Sequence, residues 1–302
     1  MDRDILELLS EKIDMEKKSV EELLKMSMNE IREGIKELGK ESFDPNTKNK
    51  IEDNNNSEFI GKNIYYYNSV KSTNLIAKFL APDVPNGSVI ISKMQTKGKG
   101  RSGKKYESPD GGIWLSIILK PNISPQKAPL LTLATAVAVT HTLEKLNIKA
   151  EIKWPNDVLI NEKKVCGILT ESIAKFNELE SIIIGVGINS KIDITNFPSD
   201  LKENSITLQD VADSEISNEK IMGQFFEEFE KTYNEFIAEN YENIFYEWRK
   251  HSHTIGKMVE IKQPLGKILV GYAIGINAEG VLIIEKPNGN LVKVFSGECR
   301  EL

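Results

Sequence analysis

Cysteine and histidine are scarce in this chain of 302 residues, which has two of the first and three of the second. Cys166 and Cys299 lie far apart with no Cys-x-x-Cys spacing, which excludes a disulfide framework and a thiolate zinc site. There is no Gly-x-Ser-x-Gly elbow and no Ser–His or Cys–His signature, so covalent catalysis by a protein nucleophile is not expected. No apolar run reaches the roughly 18 residues of a membrane span. The start, "MDRDILELL", lacks the basic region and apolar core of a secretion signal. A cytoplasmic protein without a membrane partner is expected. Acidic residues outnumber basic ones, 45 to 39, for a net charge of −6. Indiscriminate binding to nucleic acid is thereby disfavoured, and any anion site must be local.

What is present is an ordinary globular composition, 40% hydrophobic and 28% charged, long enough for two or three domains. Residues 5–38 place Leu, Ile and Met at three- and four-residue spacing and are expected to be helical. After Gly39 the stretch "ESFDPNTKNKIEDNNNSEF" has no periodicity and is expected to be a linker, with a domain boundary near Phe59. "SVKSTNLIAKFL" predicts a strand running into a helix with Ser72 or Thr73 as N-cap. "NGSVIISKMQ" and "GIWLSIILKP" predict strands. From Pro125 to Leu146 the chain predicts an apolar helix buried on most sides. Two strand pairs follow, the first turning at 161–164, and then an amphipathic helical block from Ser217 to Trp248. From Thr254 onward, short β-rich runs separated by Gly, Pro and Asn predict a small barrel. His141 is expected in the core, and His251 and His253 on the surface beside the domain junction.

Three clusters suggest chemistry. Gln95 to Gly112, "QTKGKGRSGKKYESPDGG", carries four Lys, one Arg and five Gly. Its "GKGRSGKK" nearly spells a P-loop, but Lys105 stands where the Mg²⁺-binding hydroxyl belongs, and Pro109, Gly111 and Gly112 rule out the helix that should follow. A basic loop that gains order from an anionic ligand fits better; a solvated cationic turn is the plain alternative. In "KWPNDVLI", Lys153 precedes a stiff Trp-Pro pair and two oxygen donors, Asn156 and Asp157. That pattern suits anion neutralisation and Mg²⁺, or an ordinary hairpin entry. Gly167, Gly185 and Gly187, in "GILTES…IIIGVGINS", permit close backbone approach, by a ligand or by a packed sheet. Without a nucleophile, the chemistry must rest on positioning and charge neutralisation.

Ser72-Thr73-Asn74, "QTKGKGRSGKKYESPDGGIWLSIIL", "KWPNDVLINEKKVCGIL" and "IIIGVGINS" together resemble the biotin protein ligases in order and spacing, over about Tyr65 to Leu302. The resemblance implies an α+β fold. A mixed-sheet biotin/lipoate ligase-like domain (59–252) would be followed by a C-terminal SH3-like β-barrel (253–302) and preceded by an N-terminal helical, winged-HTH-like domain with its linker (1–58). It implies ATP-dependent ligation of biotin, through biotinyl-5′-AMP, to a lysine of a biotin carboxyl carrier protein. ATP, Mg²⁺ and biotin are the implied cofactor and substrates.

Residue by residue, Ser72, Thr73, Asn74, Gln95 and Gly167 would line the biotin site, with Trp114 and Leu115 at its apolar walls. Lys99, Gly100 and Arg101 would close over the acyl-phosphate. Arg101 and Lys153 would be catalytic, Lys153 lying on the biotin carboxylate and the α-phosphate. Lys99, Arg101, Asn156 and Asn189 would face the nucleotide. No metal ligand is assigned. The family's loop has the form Gly-Arg-Gly-Arg-x-Gly, and Lys99 replaces its first Arg, keeping the charge but losing the bidentate fork. At the N-terminus, 24–38 would occupy the place of a turn plus recognition helix, yet Glu30, Glu33 and Glu37 offset Arg32 and Lys36 and should repel phosphate. DNA as a partner is left open, as is a homodimer. A lipoate ligase and a biotin-responsive repressor remain the alternatives.

Overall fold

A computed structural model describes residues 28–175, 178–195 and 197–302. The helix expected over 5–27, and with it most of the proposed helix-turn-helix, lies outside the described residues. The first described helix, α1 (Met28–Glu41), turns Ile31 and Ile35 inward and Glu33 and Glu37 outward. The stretch expected to be a linker instead contains a helix, α2 (Pro45–Glu52). Asp44 caps it by accepting from Thr47 N, Pro45 sits at its first turn, and Ile51 is fully buried. Only one apolar residue anchors this helix, which is why periodicity did not reveal it.

The main sheet has seven strands in the order β1-β2-β3-β7-β6-β5-β4. They are β1 (Ile64–Val70), β2 (Ser88–Gln95), β3 (Ile113–Leu119), β4 (Glu151–Lys153), β5 (Asp157–Ile160), β6 (Lys163–Lys175) and β7 (Glu178–Ile188). Only β1 and β2 run parallel, joined through α3 (Thr73–Leu80), so the sheet is mixed. Asn161 and Glu162, both with positive φ, make the tight turn between β5 and β6.

One sheet face buries Leu115, Ile117, Val186, Ile184 and Ile168 against α4 (Leu130–Glu144), α6 (Asn218–Ile237) and α7 (Tyr241–Lys250); a short α5 (Ser199–Glu203) lies between β7 and α6. α4 is apolar around nearly its whole circumference because the sheet, α6 and α7 cover it. The other face packs Ile90, Ile118 and Ile183 under α3, while α1 sits on β1 with Tyr67 donating its hydroxyl to Ile35 O.

The C-terminal strands β8 (Met258–Lys262), β9 (Ile268–Ile276), β10 (Leu282–Glu285), β11 (Leu291–Val294) and β12 (Glu298–Glu301) form an antiparallel sheet in the order β11-β10-β9-β8-β12. Its inner residues Val259, Ile261, Leu282 and Ile284 join the same core cluster as the main sheet. The two sheets therefore share apolar packing, and the chain between them is not a free linker. That junction reverses the histidine expectation. The His251 and His253 backbones bond Ile152 of β4, at 2.7 and 2.9 Å, and both rings are buried, whereas His141 is partly exposed. Among the described residues no helix is long and apolar enough to cross a membrane.

Glu230 secures the segment that follows α2. Its buried carboxylate accepts from the backbone N–H groups of Glu58, Phe59 and Ile60 at 2.5–2.9 Å. Glu230→Gln puts an amide donor against at least one of these donors. It should cost about 1.5–3 kcal/mol, read as a lower urea midpoint. An unchanged midpoint would show that this segment is held by other contacts.

Candidate active site

The site lies on the sheet face that α3 leaves partly open, where β3, β7 and β6 run side by side. Trp114, Gly187 and Gly167 are cross-strand neighbours, and so are Ser116 and Gly185. A Cβ on Gly187 or Gly167 would come within 2.7–2.8 Å of the Tyr106 ring, and one on Gly185 within 2.3 Å of Asn74. The glycines thus form a floor on which Tyr106 and Asn74 rest. Tyr106 also donates its hydroxyl to Gly187 O at 2.9 Å, and burial pushes its ionisation far above the ordinary phenol range.

Around this floor is a cavity of about 570 Å³. One end is a polar cluster at the start of α3. Gln95 accepts from Thr73 N (2.8 Å) and Thr73 Oγ1, and donates to Ser108 Oγ. Ser116 donates its one hydroxyl proton to Asn74 Oδ1 at 2.6 Å, its oxygen lies 2.7 Å from Thr73 Oγ1, and Asn74 donates to Glu171. These side chains hold one another in place before any ligand arrives. Ser72 occupies the N-cap position without a side-chain capping bond.

The other end is cationic. Lys99, Arg101 and Lys153 line the cavity, and none of the three makes an ion pair among the described residues. Their neighbours do: Lys104 pairs with Glu298, Lys105 with Glu107 and Lys164 with Asp157. Arg101 donates to Asn156 Oδ1 (3.3 Å) and Gly297 O (3.2 Å), and burial lowers its pKa despite the nearby Asp157 and Glu298. Asn156 is oriented by donating Nδ2 to Ile168 O at 2.8 Å. Cys299 lines the same cavity, but burial pushes its thiol up to about 11, Lys153 opposing, so it is protonated at neutral pH and a poor nucleophile.

The basic loop was expected to take its order from a ligand alone. The structure provides other sources. Gly100 N–H donates to Lys104 O, Tyr106 N–H to Gly98 O, and Lys99 bridges Lys105 as a small hairpin. Tyr106 is its apolar anchor, and Gly297 and Glu298 of the C-terminal domain hold its tip.

Of the residues singled out in the sequence, Ser72, Thr73, Asn74, Gln95, Lys99, Gly100, Arg101, Leu115, Lys153, Asn156, Gly167 and Asn189 all line this cavity. Trp114 does not. It is fully buried, donates Nε1–H to Pro109 O, and packs edge-on against Tyr106, which stands between it and the cavity. Sequence reasoning missed Tyr106, Lys262, Phe197 and the Gly297–Glu298 pair, which also line it. Tyr106 could have been found as the one aromatic residue closing the basic run.

Residues 66–189 match the Biotin/lipoate A/B protein ligase family, and residues 254–300 match the Biotin protein ligase C terminal domain. The Bifunctional ligase/repressor BirA of Bacillus subtilis is 36% identical over 245 residues, 80% of this chain and 75% of that protein. The chain belongs to the biotin protein ligase family. It is a ligase, as the sequence resemblance implied. BirA of Escherichia coli is 28% identical over 76% of this chain and 70% of its own length. The biotin protein ligase of Aquifex aeolicus, solved with biotin and ATP, superposes with a TM-score of 0.68 at 25% identity, over 80% of this chain and 99% of that one.

The glycine floor makes a direct prediction for the ligase. Gly187→Ala must displace the Tyr106 ring and the loop it anchors, and should lower kcat/KM about 10²-fold. Tyr106→Phe, which loses only the hydroxyl bond, should lower it less than about tenfold. Equal effects of the two in steady-state assays would mean that the floor does not position the loop.

Proposed function

We propose that the enzyme joins biotin to ATP in the cavity between the glycine floor and the basic loop, then passes the biotinyl group to a lysine of a biotin carboxyl carrier protein. The observation that carries this reading is the convergence of Lys99, Arg101 and Lys153 on one cavity without carboxylate partners among the described residues. Cations so placed are free to pair with anions brought in from outside.

The polar cluster of Ser72, Thr73, Asn74, Gln95 and Ser116 suits the ureido group of biotin, whose N–H and C=O groups need fixed partners. From there the valeryl chain reaches the cationic end. The biotin carboxylate oxygen attacks the α-phosphorus of ATP, the bond to the β-phosphate breaks, and pyrophosphate leaves. Two anions must approach each other for this step. Lys153 neutralises both, and Arg101 and Lys99 hold the phosphate from the loop side. Asn189 and Phe197 border the space left for the nucleoside. The acceptor amine then attacks the acyl carbon, the C–O bond breaks, AMP leaves and the amine loses its proton. No protein nucleophile takes part, in keeping with a protonated Cys299.

For Mg²⁺ the cavity offers one carboxylate, Asp157, whose Oδ1 is buried without a well-directed hydrogen bond although Lys164 Nζ lies 2.7 Å away, while Asn156 Oδ1 already accepts from Arg101. One carboxylate suits an ion that takes its other ligands from phosphates and water, and when bound it would supply further charge neutralisation.

The C-terminal sheet, which we read as an SH3-like barrel, closes the site through Gly297 and Glu298. A groove of about 1040 Å³ continues beyond Arg101 and Asn156, bounded by Lys127, Tyr241, Lys293 and Phe295, and gives the acceptor lysine a path. Biotin rather than lipoate is favoured by the match of 254–300 to the biotin ligase C-terminal domain. A repressor role, as in the names of the bacterial relatives, is poorly served by α1. Its Arg32 is engaged by Asp83 and Phe79 O, and its apolar face is covered.

Lys153→Ala should slow single-turnover formation of biotinyl-5′-AMP by roughly 10²–10³. Wild-type speed would remove Lys153 from the mechanism. Phe295→Ala, at a side chain 73% exposed, should raise KM for the acceptor protein about tenfold and leave adenylate formation unchanged. The opposite split would move the acceptor path elsewhere.

A further inference from the structure

On the far side of the main core from the cavity, two helices bring a second set of chemical groups together. His141 and Glu144 share one face of α4 at i, i+3, and Glu247 and His251 share one face of α7 at i, i+4. His141 Nε2 lies 3.2 Å from Glu247 Oε2, and His251 Nε2 lies 2.8 Å from Glu144 Oε1. The ligand atoms of His141, Glu247 and His251 all fall within 4.8 Å of one another.

The His251 ring is more than nine-tenths buried, and its orientation decides what the cluster can hold. Its Nδ1 lies 2.8 Å from the Glu247 carbonyl, which can only accept, so Nδ1 carries the proton. In the neutral ring the lone pair is then on Nε2, aimed at a carboxylate oxygen that also can only accept. Two lone pairs do not rest at 2.8 Å without a cation between or beside them. His141 repeats the pattern, with Nε2 on Glu247 and Nδ1 3.9 Å from Glu228 Oε2, and the two rings meet edge-on with centroids 5.6 Å apart. Two imidazolium rings facing Glu144, Glu228 and Glu247 would be one way to supply that cation. One divalent ion supplies the same charge and leaves both rings neutral.

We propose that His141, Glu144, Glu247 and His251 form a binding site for a first-row transition metal ion of the Zn²⁺ class. The donor set is two imidazoles and two carboxylates, which suits Zn²⁺, Co²⁺ or Ni²⁺ and not Mg²⁺. A carbonyl that fixes the tautomer of a ligating His is the usual outer partner of such a site. Tetrahedral bonds of about 2.0–2.1 Å place ligand atoms ~3.3 Å apart, so the His141, Glu247 and His251 atoms, which now lie within 4.8 Å of one another, would draw together on the ion with Glu144 brought in by its contact to His251. Lys250, which pairs with Glu247, is half-exposed and free to swing away. The ion would clamp α4 to α7 where the chain leaves for the C-terminal sheet. The His251 carbonyl accepts from Ile152 N–H, one residue before Lys153, so the clamp would also steady that strand.

The test uses the full chain without an affinity tag, stripped with EDTA and titrated with Co²⁺ alone. One equivalent should bind with the visible d–d absorption of a low-coordinate nitrogen and oxygen site, Zn²⁺ should displace it, and Zn²⁺ should raise Tm. His141→Gln should abolish the signal. Glu144→Gln, at a half-exposed side chain, should weaken binding and remove the Tm rise. No stoichiometric Co²⁺, or equal binding in both variants, would overturn the proposal and leave the cluster as imidazolium–carboxylate ion pairs.

Discussion

The gathering of three cations on one cavity is the feature around which this site is organised. Lys99, Arg101 and Lys153 face one cavity unpaired among the described residues, while Lys104, Lys105 and Lys164 nearby each have a carboxylate. Arg101 is held by neutral oxygens, the side-chain amide of Asn156 and the carbonyl of Gly297, which fix its direction without cancelling its charge.

Holding the charges at the right height requires a floor without side chains. Gly167 and Gly187 let Tyr106 lie flat on the sheet, and Tyr106 in turn carries the loop bearing Lys99 and Arg101. The roof comes from another part of the chain, through Gly297 and the Lys104–Glu298 pair. Because the C-terminal sheet shares the core cluster of the main sheet, the roof is tied to the floor by apolar packing as well as by charge. A hydrolysable mixed anhydride needs shelter from water, and floor, loop and roof each cover one side of the cavity.

Much of this was legible in the sequence because the key groups lie on short local motifs. The basic loop, "KWPND" and the strand pattern placed nearly all the expected side chains around one cavity. The misreadings are tertiary. Trp114 reads as a wall residue, but strand alternation puts it beside Tyr106, which covers it. Glu298 and Lys262 come from a domain whose docking no local pattern reports. His251 and His253 read as surface residues because they flank a domain junction, and they are buried because that junction pairs with β4. The polar stretch before Phe59 hides an Asp-Pro helix start and one decisive apolar residue, Ile51.

In the proposed reaction the charge in this cavity is matched to an acyl-phosphate anion and retains it. Incubating the enzyme with ATP, Mg²⁺ and either biotin or lipoate, then separating protein from small molecules and weighing what stays bound, tests it most directly. One equivalent of biotinyl-5′-AMP should travel with the protein, and no lipoyl counterpart. Anhydride that elutes free of the protein, or a retained lipoyl adenylate, would contradict the account.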